Sequence, residues 1–301
     1  MRLGQMKYLL KAAGREWSED NASRLAAALS FYAAVSLAPL LIIVLAISGI
    51  VFGREAAAGQ LVSEIQIFLG YQRAQIIQEI IASANKPTSG LVSTVVGTII
   101  LLLGASGVFS ALQDGLNTVW DIQRKGGRGI IGMIKDQFLS FAMVFGIGFL
   151  LLVSLVISAL LSALGRNLFG GASAPVIIVE VGNFILSFVF ITILFALMYK
   201  ILPDVEIAWR DVWIGSAITA VLFTLGKMAI GIYLGRSTFA DAYGAAGSFI
   251  AILVWIYYSA QILFYGAELT QVYANTYGSQ IKPASDAVAI PKEQQAEISR
   301  Q

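Results

Sequence analysis

Six long stretches almost free of charge decide what this chain can fold into. Residues 25–53, 87–113, 137–165, 181–199 and 242–267 contain no Asp, Glu, Lys or Arg, and 212–235 is interrupted by Lys227 alone. Each run has at least 19 residues, and an apolar helix of about 20 crosses a hydrocarbon core about 30 Å thick. The sequence therefore predicts an all-α, polytopic membrane protein with six transmembrane helices, spanning about 25–53, 88–113, 137–165, 176–201, 210–235 and 243–272. A membrane β-barrel shows runs of about 10 alternating residues, a pattern this chain lacks. Composition agrees: 13% of residues are charged, against about 25% in soluble domains.

Positive charge predicts the orientation, because lysine and arginine are retained on the cytoplasmic side. Leaving Lys227 aside, 14 of the remaining 19 lysines and arginines fall in the N-terminal arm, the second and fourth loops and the tail. Both termini are thus expected in the cytoplasm. Trp17, Trp120, Trp209 and Trp213 fall on the same side, where indoles anchor at the interface. A cytoplasmic amphipathic arm, 1–24, leads into the first span; it lacks the short apolar core and cleavage site of a signal peptide. The polar tail, 275–301, is expected to be cytoplasmic and disordered. In the connection 54–86, Leu61, Val62, Ile65, Phe68, Leu69, Ile76 and Ile80 share about one third of a helical wheel. That pattern predicts an amphipathic outer segment between the first two spans. Pro39 lies inside the first span and predicts a kink. The two halves show no internal repeat of the kind that marks inverted-repeat transporters.

Lys227 is the anomaly among the spans. Ser216, Ala220, Thr224, Lys227 and Gly231 follow at steps of four, four, three and four, so the lysine shares a helix face with small and polar residues. An intramembrane cation normally faces the bundle interior or a water-filled cavity. Two readings stand: a structural ion pair or snorkelling lysine, and a contact to substrate. Glu180, at the outer start of the fourth span, is the expected carboxylate partner, since Lys227 lies about 12 Å from the outer end of its own span at 1.5 Å per residue.

A second polar stripe runs along the last span. Tyr257, Tyr258, Gln261, Tyr265 and Glu268 lie within an arc of about 100°. Polar groups in lipid need partners, so this face lines either a cavity or a helix interface. Glu268 is expected to pair with Arg24 or Arg210 at the cytoplasmic end. Asn21, Ala28, Tyr32, Ser36 and Pro39 make a comparable stripe at the first span. The candidate path or intramembrane polar cluster therefore comprises Lys227, Glu180, Thr224, Tyr258, Gln261, Tyr265, Glu268, Tyr32, Asn21 and Arg24.

Enzyme chemistry finds little support. The chain has no cysteine and no histidine, which removes thiol chemistry and the usual metal ligands. No P-loop pattern occurs. A net charge of +2 does not suggest a nucleic-acid partner. No metal, cofactor or catalytic residue is expected.

The stretch "YGAAGSFIAILVWIYYSAQILFYGAELTQVYA" (243–274) resembles the YihY/virulence factor BrkB family of bacterial inner-membrane proteins. "LAAALSFYAAVSLAPLLIIV" (25–44), "GASGVFSALQDGLNTVWDI" (104–122) and "YKILPDVEIAWRDVWIGSAITAVLF" (199–223) are similar to its other signatures, in the family's order. The resemblance implies six helices, cytoplasmic termini and a role in a Gram-negative-type envelope. It also implies links to serum resistance and to movement of a lipid or lipopolysaccharide precursor. The name ribonuclease BN attached to some members finds no ligand set here. Three functions remain: a transporter or flippase of an envelope lipid or other amphiphile, a small-solute or ion channel or carrier, and a non-transporting scaffold. Expected partners are membrane lipids, with a second copy of the chain or an envelope complex as further candidates.

Overall fold

A computed structural model describes residues 3–36, 59, 107–125, 176–236, 245–285 and 287–290. These residues are mostly helical. Helix α1 is Leu3–Glu19 and α2 is Ala22–Val35. Helix α3 covers 107–119. Helices α4 (Val176–Ile201), α5 (Trp209–Arg236) and α6 (Ala245–Tyr277) are the long ones. Four short strands complete the structure: β1 (Ile122–Arg124), β2 (Val205–Glu206), β3 (Lys282–Pro283) and β4 (Ala287–Ala289). Three helical stretches are long and apolar enough to cross a membrane among the described residues: Phe184–Ile201, Trp209–Ile230 and Phe249–Tyr277. They fall in the expected fourth, fifth and sixth spans. The third span, the Pro39 kink and all of the outer segment 54–86 except Gly59 lie outside the described residues.

Helix α1 forms because Leu9 and Ala13, one turn apart, give it an apolar seam while Lys7 and Lys11 stay exposed. The Arg15–Glu19 pair at i,i+4 closes its last turn at 2.8 Å. Asn21 then adopts a left-handed conformation, φ 51 and ψ 40, which asparagine tolerates better than most residues. Asp20 and Asn21 together make the turn that separates α1 from α2. From Phe184 to Tyr199, α4 is apolar on every face apart from Ser187 and Thr192, the pattern of a membrane span or fully buried helix. Val181, Phe184, Ile185 and Val189 on α4, with Val221, Leu225 and Met228 on α5, remain exposed. Large apolar side chains in that number on long helices mark a lipid-facing surface.

Helix α6 is the centre of the assembly, packing against α1, α2 and α5, while α4 packs on α5. The antiparallel α5–α6 contact depends on missing side chains. A Cβ on Gly226 would sit 2.6 Å from Ile262 Cδ1 and 2.7 Å from the Tyr258 hydroxyl. One on Gly266 would meet the Tyr199 hydroxyl at 2.6 Å and collide with Thr219. Small residues permit this approach, and van der Waals packing drives helix association in lipid. Tyr199 adds a tie from α4 to α6, donating its hydroxyl to the Leu263 carbonyl at 2.8 Å. The core around these contacts includes Phe195, Tyr199, Leu202, Leu263 and Phe264.

The tail departs from expectation. Residues 275–277 complete α6, and residues 278–285 and 287–290 pack back onto the helices through two short strands. Strand β3 pairs antiparallel with β2, Val205 opposite Pro283 and Glu206 opposite Lys282. Strand β4 pairs antiparallel with β1, Ile122 opposite Ala289 and Arg124 opposite Ala287. The physical reason is supply of partners. Asp211 Oδ2 accepts from the Ser279 backbone N–H at 2.8 Å and its hydroxyl at 2.7 Å. The Ala284 N–H donates to the Asp204 carbonyl at 3.0 Å and the Ile290 N–H to the Asp121 carbonyl at 2.8 Å. Ala287 is buried. Residues 291–301 lie outside the description.

Two outcomes follow. Gly266→Ala should destabilise the chain by about 1–3 kcal/mol through overpacking, read as a lower unfolding midpoint. Gly4→Ala, where a Cβ meets nothing within 4 Å, should not destabilise it. Asp211→Ala should cost about 1–3 kcal/mol by removing two hydrogen bonds to a charged carboxylate, and should speed amide exchange across 279–290.

Candidate functional site

The expected site residues fall into two groups. The first surrounds Lys227 on α5. Its neighbours Leu225 and Met228 are 59% and 60% exposed, while Lys227 itself is half-buried. Ser216 and Ala220, lower on the same stripe, are fully buried. Thr224 is half-buried, and its hydroxyl donates to the Ala220 carbonyl at 2.7 Å, a bond within its own helix. Tyr258, half-buried on α6, places its hydroxyl against Gly226, the residue before Lys227. Gln261 is one turn along, with its side-chain oxygen sheltered and without a hydrogen-bond partner among the described residues. The structure thus brings Tyr258 to the Lys227 turn, with Gln261 close by on the same helix. The side chain of Glu180 and its expected pairing with Lys227 lie outside the description.

The second group gathers where the strands are. Tyr265 donates its hydroxyl to the Leu10 carbonyl at 3.0 Å, tying α6 to α1. Glu268, one turn further, has no exposed surface. The expected pairing of Glu268 with Arg24 or Arg210 is not made. Both arginines are exposed, and neither Glu268 oxygen has a hydrogen-bond partner among the described residues. The reason is geometric: α6 turns Glu268 inward toward the α1–α2 turn, and both guanidinium groups stay in the exposed layer. Asn21 sits in that turn, with its backbone carbonyl accepting from the Arg24 N–H at 2.8 Å. Tyr32 stands apart, 44% exposed on α2, its ring lying over Gly107, where a Cβ would approach within 2.9 Å.

Residues the sequence did not single out complete this second group. The Asp20 carboxyl lies within hydrogen-bonding reach of Glu268, and Asp121 is close to both. Gln271, one turn after Glu268, donates its amide to Asp121 Oδ2 at 2.9 Å. Asp121 has a positive φ of 56°, in the turn between α3 and β1. Elsewhere among the described residues, the indole N–H groups of Trp17 and Trp120 are likewise sheltered without a hydrogen-bond partner. Burial, then the neighbouring Asp121 carboxylate, raises Asp20 from its ordinary carboxylate range to about 7.

Next to this group the polar ends of α3 and α4 are cross-tied. Gln113 donates to the Leu202 carbonyl at 2.9 Å. Asn117 donates to Asp204 Oδ2 at 2.7 Å and accepts from the Asp204 N–H at 2.8 Å. Lys200 donates to the Ile207 carbonyl and stands 5.9 Å over the Trp209 ring.

Fold and site together define a helical membrane protein with polar side chains at the middle and in the C-terminal third of its central helix. The chain belongs to the family described as virulence factor BrkB, which it matches over residues 13–291. It is 24% identical over 273 residues to a UPF0761 membrane protein of Alcanivorax borkumensis, covering 90% of this chain and 61% of the relative. It is 26% identical over 286 residues to a UPF0761 membrane protein of Cronobacter sakazakii, covering 89% of each. It is 29% identical over 199 residues to the UPF0761 membrane protein YihY of Salmonella typhimurium, covering 64% of this chain and 62% of that one. The chain therefore spans about three fifths of the length of the Alcanivorax relative. No solved structure matches it.

The Asp20 environment gives a pH dependence with a definite sign. The folded carboxyl holds its proton to about pH 7, whereas the ordinary value is 3.8. Between those values the folded state binds more protons than the unfolded one, so this group's contribution makes stability fall as pH rises through that window. Above it the contribution is level. Asp20→Asn should remove this component: thermal unfolding in acid and in neutral buffer should show the variant losing less stability than wild type as pH rises.

Proposed function

We propose that the chain is a bacterial inner-membrane transporter or flippase for an envelope lipid or other amphiphile, with both termini in the cytoplasm. The observation that carries this reading is the place of Lys227. A half-buried cation stands within an apolar span, flanked by side chains that face lipid, with the Tyr258 hydroxyl against the adjoining residue. A charge at that position serves an amphiphile better than a solute confined to an aqueous pore: the head group meets Lys227, Tyr258 and Gln261 while the acyl chains stay against Leu225 and Met228. An anionic phosphate head group suits a lysine acting as a point charge. Thr224, on the same stripe of α5, belongs to the same path in this reading.

A second reading, a carrier for a small solute or ion, draws on the sequestered carboxylates at the strand-bearing end. An outer amphipathic segment that docks an envelope complex, or a second copy of the chain, is compatible with either. Nuclease activity finds no support: the chain has no histidine or cysteine, and among the described residues no three carboxylates converge to hold a metal.

The test is reconstitution of the full chain in liposomes carrying fluorescent lipids, one anionic and one zwitterionic. Lys227→Ala should slow anionic lipid flux about tenfold, the effect of losing roughly 1.4 kcal/mol of binding in the rate-limiting state, and should spare zwitterionic lipid. Equal flux of both lipids in wild type and variant contradicts the assignment of Lys227.

A further inference from the structure

We propose that Asp20 and Glu268 form a proton-binding site in which one proton is held between the half-buried Asp20 carboxyl of the α1–α2 turn and the fully buried Glu268 carboxyl of α6. The inference does not rest on the transport reading, since it concerns occupancy of a site and not the passage of a substrate.

The geometry points to a proton because nothing else described at the site neutralises the charge. Glu268 has no exposed surface, and both of its oxygens are shut off from water without a donor among the described residues. An ionised carboxylate in that state is strongly disfavoured. The facing group is another carboxyl, that of Asp20, close enough for a hydrogen bond. Two carboxylates have no hydrogen to offer each other. Adding one proton converts the contact into an O–H···O⁻ bond, the short charge-assisted kind, and relieves the repulsion that prevents both from ionising together.

The surrounding charges sharpen the choice. From α1, Glu16 adds a further negative field, while Glu19 is engaged by Arg15 at the exposed surface. From the turn after α3, Asp121 adds another, its Oδ2 already accepting from Gln271. On α2, Arg24 is exposed, as is Arg210 on α5. Asp211 of α5 is taken by Ser279. Lys200 of α4 is taken by the Ile207 carbonyl, and Lys125 by the Ser285 carbonyl at 3.3 Å. Lys227 packs at the level of Tyr258, ten residues from Glu268, which is about 15 Å along a helix. The charged groups described as acting on the pair are therefore all acids. A metal ion is the other way to satisfy clustered carboxylates, yet among the described residues no three His, Cys, Asp or Glu side chains converge tightly enough to hold one.

Gln271 and Tyr265 complete the site by position. Gln271 fixes Asp121 and so keeps that carboxylate from competing for the proton. Tyr265 clamps α1 through the Leu10 carbonyl, and Leu9 and Ala13 pack in the same apolar cluster as Leu269 and Val272. The pair is thus held together by contacts on either side. When the proton leaves, two facing carboxylates remain, and their repulsion works against the α1–α6 contact.

The experiment is infrared spectroscopy of the full chain in lipid nanodiscs, following the C=O stretch of protonated carboxyl groups at neutral pH. Wild type should show one such band, which fades as the buffer is made alkaline. Glu268→Gln should abolish it. Asp20→Asn should move it, because the hydrogen-bond partner of the proton changes. Circular dichroism and size-exclusion profiles establish that each variant is folded, and either folded variant alone decides the assignment. Absence of a protonated-carboxyl band in neutral wild type, a band that Glu268→Gln leaves in place, or one that Asp20→Asn leaves unmoved overturns the proposal.

Discussion

The close approach of α5 to α6 is the constraint on which the other contacts depend. Lipid gives no hydrophobic reward for joining two apolar helices, so association relies on packing and interhelical hydrogen bonds. Gly215, Gly226 and Gly266 supply the packing by leaving no side chain at the crossing. Thr270, Tyr258 and Thr219 fill the space each leaves on the opposite helix. Because α6 seats so deeply, its remaining faces meet α1 and α2. The same seating carries the Tyr258 hydroxyl to the turn of Lys227 and carries Glu268 out of reach of water.

At the strand-bearing end, polar residues do the joining. Gln113 and Asn117 on α3 bond to Leu202 and Asp204 after α4. Asp211, at the start of α5, receives the chain as it leaves α6. Each is a buried or half-buried group bonded to backbone or to another side chain, which is how polar atoms are kept inside at little cost. Glu268 is the exception. It sits one turn before Gln271 with neither oxygen bonded among the described residues, and a fully buried carboxyl left in that state is where function is to be sought.

Much of the architecture was legible because lipid imposes a simple rule on sequence. Long charge-free runs located α4, α5 and α6 closely; for α6 the expected 243–272 became Ala245–Tyr277. The small-residue stripe correctly put Ser216 and Ala220 on a buried face. The tail was misread because its order comes from partners far away in the chain. Ala287 pairs with Arg124 and Pro283 with Val205, and no local pattern in a polar, proline-containing segment announces such contacts. The partner of Glu268 was misread for a related reason. Opposite charge suggested Arg24 or Arg210, but helix direction and the left-handed turn at Asn21 brought the α1–α2 turn, with Asp20, to that place instead. Asp121 was equally hidden, since its role follows from a turn conformation that periodicity does not encode.

The account stands most directly on the α5–α6 contact, and a double-mutant cycle at one point of it is decisive. A Cβ at Gly215 collides with the Thr270 side chain, lying 2.6 Å from its Cβ. Gly215→Ala, Thr270→Gly and the double variant should therefore be compared by equilibrium unfolding in the same bilayer mimic. The contact predicts that Thr270→Gly makes room for the added methyl, so that the double variant is more stable than the sum of the single effects by about 0.5–3 kcal/mol, the range found for touching residues. Strictly additive effects contradict the placement of α6 against α5, and with it the positions assigned to Tyr258 and Glu268.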